Sequence, residues 1–154
     1  MSDSLFIIRS ATSADTSAIF SLIKELALYE KAPHEVINTP EKLLNDGFGS
    51  TSPLFTAEVA EWKDGSIIGF SLCYIRYSTW KGPVLYLEDL YVQEQYRRYG
   101  IGKALFENCI EMAKREGYKR LAWQVLDWNQ PAIDFYKKWN ASLDPEWING
   151  SIDI

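Results

Sequence analysis

The chain has 154 residues, a formal net charge of −5, 47% hydrophobic residues and 24% charged residues. This length and composition exclude a disordered chain and predict a single globular domain over residues 1–154. The acidic balance, with no run of Lys and Arg longer than a pair, argues against nucleic-acid binding, because nucleic-acid-binding proteins carry a basic face.

The first third of the chain predicts one strand and two helices. Leu5 to Arg9 is a short apolar segment typical of a strand, and Thr12 with Asp15 forms a capping pattern for the helix that follows. Thr39-Pro40 predicts the start of a second helix, which Gly47 is expected to close. The first helix shows apolar residues at helical spacing, namely Ile19, Leu22, Ile23 and Leu26.

The middle of the chain predicts three strands. Phe55 to Trp62 and Ile67 to Arg76 flank the turn Asp64-Gly65, which is a hairpin signal. Val84 to Val92 is apolar and aromatic almost throughout, and only Glu88-Asp89 interrupts it. We therefore expect three consecutive strands joined as antiparallel neighbours.

The last third predicts helices alternating with strands. An amphipathic helix begins near Gly100 and ends at Gly117, Leu121 to Leu126 is a strand, and Pro131 opens a last helix through about Trp139. The residues from Trp147 to Ile154 leave room for only a short final strand. This order predicts an α/β (α+β) fold, with a mixed sheet and helices on its faces.

A glycine turn joins the predicted strand Val84 to Val92 to the amphipathic helix that ends at Gly117. Gly100 and Gly102 lie at the helix start, where free N–H groups and the helix dipole favour binding of phosphate. Glycine lets the backbone approach such a ligand closely, and Arg97, Arg98 and Lys103 add positive charge around it. The turn therefore predicts a phosphate site, with a plain capping turn as the alternative.

Two common nucleotide motifs do not fit this turn. The dinucleotide fingerprint requires glycine where the chain has Leu105. The triphosphate loop requires glycine at Arg97 and a hydroxyl at Ala104. Instead, Arg97 to Gly102 matches [RQ]-x-x-G-x-[GA], the pyrophosphate-binding signature of GNAT acetyltransferases, and the chain resembles this family.

The resemblance extends over nearly the whole chain and is to the diamine acetyltransferase group. Ser78 to Gly82 and Val125 to Gln130 resemble the thialysine N-epsilon-acetyltransferase branch more than the spermidine/spermine branch, which usually has an acidic residue in place of Ser78. Asn140 stands where the family usually has glycine after its last helix, and asparagine is the next best residue for a left-handed helix end. The other matching segments are 26–30, 46–49, 86–92 and 129–136.

The resemblance implies an acetyl-CoA-dependent N-acetyltransferase with the GNAT fold, which is a central mixed, mostly antiparallel sheet flanked by about four helices. It also implies a small cationic amine as substrate, acetyl-CoA as cosubstrate and a homodimer. The residues expected to hold acetyl-CoA are Leu90, Tyr91, Val92, Arg97, Arg98, Tyr99, Gly100, Ile101, Gly102, Lys103, Asn129 and Tyr136. For Asn129, a helix-cap contact is the alternative role.

The catalytic candidates are Tyr136 and Glu88. A tyrosine has a reference pKa of about 10, above the roughly 8.5 of a thiol, so Tyr136 suits the acid that protonates the leaving thiolate. A core tyrosine is the alternative. Glu88 is the candidate base and Asp89 a substrate-binding or structural residue, because carboxylates in an apolar strand are costly unless partnered. A salt bridge or a bulge is the alternative for these carboxylates. Tyr29, Glu30 and Trp80 complete the amine site that the resemblance implies, and a surface-exposed Trp80 with no such role is the alternative.

The remaining residues argue against other classes of site. Cys73 and Cys109 lie among apolar residues, so we expect buried, reduced thiols, with a disulfide or a nucleophile as the alternative. His34 with these two cysteines makes no ordinary zinc site, so no metal is expected. The start Met1-Ser2-Asp3-Ser4 lacks the features of a signal peptide, and no apolar run approaches a membrane span. These observations predict a soluble, cytoplasmic protein. A non-catalytic acetyl-CoA-binding regulatory module and a protein-lysine acetyltransferase remain as alternative functions.

Overall fold

The helices and strands follow one another in the predicted order. In the computed structural model, which describes residues 3–49 and 51–154, the chain divides into two compact units, Met1–Gln124 and Val125–Ile154. The predicted absence of a signal peptide rests partly on Met1 and Ser2, which lie outside the described residues. The strands are β1 (Phe6–Ser10), β2 (Thr56–Trp62), β3 (Ile67–Ser78), β4 (Gly82–Val92) and β5 (Leu121–Trp123), and the helices are α1 (Thr16–Tyr29), α2 (Pro40–Phe48), α3 (Ile101–Arg115) and α4 (Gln130–Lys137).

The sheet of the larger unit has the strand order β1-β2-β3-β4-β5. Neighbours from β1 to β4 are antiparallel, whereas β4 and β5 are parallel, with Leu85 opposite Leu121. A parallel pair needs a crossover connection, and α3 supplies it between β4 and β5. The prediction of a mixed, mostly antiparallel sheet is therefore confirmed.

Ion pairs of Arg9 link the start of α1 to the first two strands. The N–H of Thr12 donates to Asp15 at 2.7 Å, which confirms the predicted capping pattern. Arg9 on β1 donates to Asp15 at 2.8 Å and to Glu61 on β2 at 2.7 Å. The hydrogen bond from Arg9 holds the pKa of Asp15 below its ordinary value. These bonds fix where α1 begins relative to the sheet.

Apolar side chains fill both faces of the sheet because successive strand residues point to opposite sides. On the α1 and α2 side the buried cluster consists of Ile19, Leu22, Leu43, Ala57, Val59, Phe70, Leu72 and Tyr91. On the α3 side it consists of Ala60, Ile68, Val92, Ile101 and Leu105. Cys73 and Cys109 are buried free thiols, as predicted, and their Sγ atoms lie 3.7 Å apart.

The prediction that Gly47 closes α2 is wrong. The helix runs on to Phe48, and Gly49 follows it as the C-terminal cap. A Cβ atom on Gly47 would overlap the ring of Phe55. Gly47 therefore allows α2 to approach the chain just before β2, a role that only the packing reveals.

The C-terminal part has less strand structure than predicted. β5 ends at Trp123 rather than Leu126, and residues 141–154 form no helix or strand, so the predicted short final strand is wrong. Trp147, Ile148 and Ile152 are exposed, and a strand without a hydrogen-bonded neighbour is not stable.

The smaller unit contains α4 and its caps. Asn129 accepts the N–H of Ala132 at 3.3 Å, and Pro131 occupies the first turn, as its fixed φ favours. Asn140 follows the helix with φ 55°, the left-handed conformation expected there. Within the described ranges, no helix is long and apolar enough to cross a membrane.

Candidate functional site

The glycine turn leads directly into α3. Gly100 is the N-cap residue with φ 82°, a conformation that favours glycine, and the space where a Cβ would stand is open. Arg98 also adopts a positive φ, 74°. The first N–H groups of α3, including those of Ile101 and Gly102, have no partners within the helix. The turn thus presents backbone donors and the positive end of the helix dipole to an open space, which fits a pyrophosphate group.

Arg97 occupies a more structural position than the sequence indicates. Its Nε atom donates to the carbonyl oxygen of Val92 at 3.0 Å. Its guanidinium lies 5.4 Å from the ring centre of Tyr29 and 5.6 Å from that of Tyr91. Cation–π contacts of this kind bind the end of α1 to β4 and to the turn. Arg97 therefore positions the turn. Lys103 lies in the first turn of α3, and its Nζ is 3.8 Å from Glu107.

The C-terminal part of β4 has one edge that does not pair with β5. β5 pairs only with residues 85–87 of β4, whereas Leu90, Tyr91 and Val92 pair with β3 on their other side. Among the described residues, no strand pairs with the second edge of Leu90–Val92. Unpaired strand groups are a template for an extended ligand chain. These three predicted acetyl-CoA contacts therefore adjoin the glycine turn along one strand.

A β-bulge places the two acidic residues of β4. Leu72 lies opposite Asp89 and Cys73 lies opposite Leu87, so Glu88 is the extra residue. Bulges re-aim side chains and often lie beside active sites. The alternative of a bulge at this position is thus observed, and it brings both carboxylates to the point where β5 stops pairing with β4.

Three carboxyl groups share this site. Burial, together with the charges of Glu88 and Glu30, raises the pKa of Asp89 to about 7. Burial, and then the charge of Glu88, also raises the pKa of Glu30. Among the described residues, no basic side chain forms an ion pair with Asp89, so the salt-bridge alternative is not observed. A site that disfavours its own negative charge favours a bound cation.

Tyr74 is a site residue that sequence analysis missed. Its hydroxyl donates to Glu88 Oε2 at 3.2 Å, and its ring lies 5.3 Å from that of Tyr86. Burial and the charge of Glu88 raise the pKa of Tyr74 to about 12, so the hydroxyl stays a donor. The β3–β4 strand register could have identified Tyr74 as a neighbour of Glu88, but the bulge shifts that register by one residue.

Trp80 does not lie with the other predicted amine-binding residues of its own chain. It is 87% exposed at the tip of the β3–β4 hairpin, where Ser78 Oγ accepts the N–H groups of Trp80 and Lys81. Ser78 pairs with Gly82, six residues before Glu88 on β4, and six strand residues span about 20 Å. The structure therefore separates Trp80 and Ser78 from the acidic site within one chain.

The two predicted residues of the smaller unit lie on or beside α4. Asn129 acts as the N-cap, which is the alternative role considered for it. Tyr136 is buried, and its ring centre lies 5.2 Å from that of Phe135.

Comparison with known proteins identifies the family. Residues 19–140 match the acetyltransferase (GNAT) family, and the chain belongs to it. A thialysine N-epsilon-acetyltransferase of Bos taurus is 42% identical over 142 residues, covering 88% of this chain and 83% of that protein. Another from Caenorhabditis elegans is 40% identical over 131 residues, covering 85% and 79%. The predicted family and enzyme class, an N-acetyltransferase, are confirmed.

A solved structure shows the same fold. An aminoglycoside acetyltransferase from an uncultured soil metagenomic sample superposes with a TM-score of 0.80 at 20% sequence identity. The match covers 99% of this chain and 98% of that one. At this identity the likeness establishes the fold alone, which is the predicted GNAT fold.

Proposed function

We propose that this enzyme transfers the acetyl group of acetyl-CoA directly to a small amine of the thialysine or diamine class. The observation that carries the proposal is the carboxyl site at the β4 bulge, next to the open edge of Leu90–Val92. The relatives named thialysine N-epsilon-acetyltransferases support the same substrate class.

The cosubstrate side comprises the turn and the open strand edge. Acetyl-CoA supplies the thioester whose acetyl group is transferred. Backbone N–H groups of Ile101, Gly102 and Lys103 hold the pyrophosphate, and Arg98 and Tyr99 lie in the turn beside them. The backbone of Leu90 to Val92 binds the extended arm by strand-like hydrogen bonds.

The amine side comprises Glu88, Asp89, Glu30 and Tyr29. An amine is protonated at neutral pH and attacks only after losing its proton. The carboxyl groups attract the ammonium form, and Glu88, held by Tyr74, accepts the proton directly or through water. Asp89, with a pKa of about 7, binds the amine beside it. We assign Tyr136 as the acid that protonates the leaving thiolate.

Several wider properties belong to the same proposal. The family match from 19 to 140 includes parts of both compact units, which supports one acetyltransferase domain over residues 1–154. We also propose a cytoplasmic homodimer that needs no metal and binds neither nucleic acid nor membrane. Trp80 contacts the amine in this proposal only if the hairpin of one copy reaches the site of the other.

A thiol-release assay with acetyl-CoA and a panel of amines tests the function. Thialysine is expected to stimulate release, and Glu88→Gln to lower the rate most near pH 7, with the deficit shrinking as pH rises and free amine accumulates. Glu111→Gln, which changes an exposed carboxylate on α3, is the matched control and should leave the rate unchanged.

The other outcomes select the alternatives. Binding of acetyl-CoA without thiol release on any amine would point to a non-catalytic acetyl-CoA-binding regulatory module. Release with lysine-containing peptides but not with small amines would point to a protein-lysine acetyltransferase. A Glu88→Gln deficit that stays constant from pH 7 to 10 would assign Glu88 to positioning rather than to proton removal.

A further inference from the structure

A groove lies in the larger unit, at the opposite end of α3 from the glycine turn. Its volume is about 740 Å³, within the range of roughly 300–1,000 Å³ typical of small-molecule sites. Arg115, the last residue of α3, is part of its lining. α3 has 15 residues, so about 20 Å separate this residue from the turn. The groove is therefore distinct from the phosphate site.

Apolar side chains form most of the groove's walls. They come from α2 and the segment before β2, from the sheet, and from the end of α3. The larger ones are Phe48, Phe55, Ile75, Leu85, Met112 and Tyr118. Small-molecule sites typically combine such walls with a few polar groups that fix the ligand's orientation.

Glu58 is the half-buried charged residue of the groove, whereas Arg115 and Glu116 on its lining are exposed. It is half-buried on β2 and accepts a weak hydrogen bond from Ser10 at 3.4 Å. Burial raises the pKa of Glu58, and the charge of Arg115 opposes this only in part. Within the described part of the chain, no basic group lies within ion-pair distance of Glu58, and Arg115 is 3.7 Å from Glu116 instead. A cation beside Glu58 would restore its preference for the charged form.

Glu58 and the acetyl-transfer carboxyls belong to opposite faces of the sheet. Asp89 pairs with Leu72, which packs in the α1 and α2 cluster together with Ala57. Glu58 follows Ala57 along β2, so its side chain lies on the α3 side. One wall residue links the two sites, because Tyr74 lines the groove and donates to Glu88.

We propose that this groove is a second binding site for a small primary amine with an apolar or aromatic body. The ammonium group pairs with Glu58, whose charge Arg115 offsets only in part, while the body packs between Phe55 and Met112. A carboxylic acid of the same shape is excluded, because it would place a second negative charge beside Glu58. A bound amine would also touch Tyr74, and through it the residue proposed to take the proton in acetyl transfer.

The test is an NMR titration of the full chain with 2-phenylethylamine, and with 3-phenylpropanoate as the probe of matched shape. Because the amine can also enter the acetyl-transfer site, the titration is repeated on Glu58→Gln and on Asp89→Asn. Thr56→Phe, which adds bulk at the groove from an exposed position, is the second groove variant. Glu111→Gln is the control, and thermal melting checks that each variant is folded.

We expect the amine to bind the wild-type chain, and we expect Glu58→Gln and Thr56→Phe each to weaken this binding by about tenfold or more. Asp89→Asn and Glu111→Gln should leave this binding unchanged, and 3-phenylpropanoate should not bind. The proposal is overturned if Glu58→Gln binds as well as wild type, if only Asp89→Asn loses binding, if the acid binds equally well, or if the amine does not bind. Because the readout is binding, it is independent of whether the chain transfers acetyl groups.

Discussion

Asp89 is the residue whose surroundings most alter its chemistry. Its carboxyl group has an ordinary pKa of 3.8, and burial with two neighbouring carboxylates raises the pKa to about 7. The folded chain therefore binds this proton more tightly than the unfolded chain does. The resulting contribution to stability is complete below about pH 4 and is lost progressively as the pH rises to about 7, above which the loss is constant.

Asp89→Asn keeps the shape of the side chain and removes its titration. The variant's advantage in unfolding free energy over wild type should grow by about 1 kcal/mol per pH unit between pH 5 and 7, then level off. Denaturant unfolding of both proteins at pH 5, 6, 7 and 8 measures this difference. A difference that does not change with pH would mean that Asp89 has an ordinary pKa in the folded chain.

Tyr136 carries the other residue-scale prediction. Tyr136→Phe keeps the ring that contacts Phe135 and deletes only the hydroxyl. If the hydroxyl protonates the leaving thiolate, kcat should fall by about 100-fold, with little change in acetyl-CoA affinity. Steady-state kinetics and calorimetry separate the two quantities. A kcat within threefold of wild type would leave Tyr136 a buried structural residue.

At the scale of elements, the N-terminus of α3 carries the cosubstrate prediction. Gly102 lies in the first turn, next to the Gly100 cap. Gly102→Val should weaken acetyl-CoA binding at least tenfold, because a branched side chain there obstructs the approach of a phosphate to the helix N–H groups. Gly150→Val, at a position open to solvent, is the control and should bind normally. Unchanged affinity in a folded Gly102→Val variant would falsify this placement.

The tip of the β3–β4 hairpin lies far from the acidic site of its own chain. Both strands continue beyond the part that the helices cover, and Ile75, Tyr77 and Trp80 on the hairpin are exposed. Ser78 and Trp80 at its tip are remote from Glu88 of the same chain. Direct contact between these two residues and an amine held at Glu88 would therefore need a second copy of the chain.

At the scale of the whole molecule, the prediction concerns substrate choice. Thialysine should have a much higher kcat/KM than spermidine, since the chain has Ser78 where the polyamine branch usually has an acid. The absence of a charge-assisted contact weakens the binding of a polyamine by roughly ten- to a hundredfold. The thioether of thialysine also lowers its amine pKa, so more of it is neutral at pH 7. Parallel kinetics on the two substrates measure the ratio.

Ser78→Asp extends the same prediction to the assembly. The variant should improve kcat/KM for spermidine only where sedimentation shows a dimer, because in the proposed homodimer the residue would reach the acidic site of the other copy. A clear preference of wild type for spermidine would contradict the thialysine assignment. A dimeric Ser78→Asp protein with unchanged spermidine kinetics would contradict the mechanism proposed for Ser78.

Local sequence patterns predicted the features that depend on residues close together in the chain. The capping pair Thr12 and Asp15, the Asp64-Gly65 turn, the glycine turn at Gly100 and the left-handed Asn140 were all predicted at their observed positions. Each depends on the conformation that a few consecutive residues prefer. Because the glycine turn also carries the family signature, the acetyltransferase class could be predicted from the same residues.

Features that depend on residues distant in the chain could be found only in the folded structure. The bulge at Glu88, the hydrogen bond from Tyr74 and the contact between Cys73 and Cys109 follow from strand register and helix packing. The close approach of α2 to Phe55 likewise explains Gly47, and the residues after α4 form no strand despite their apolar pattern. A short sequence pattern states which conformation is allowed, but a partner strand or helix must be present for that conformation to be stable.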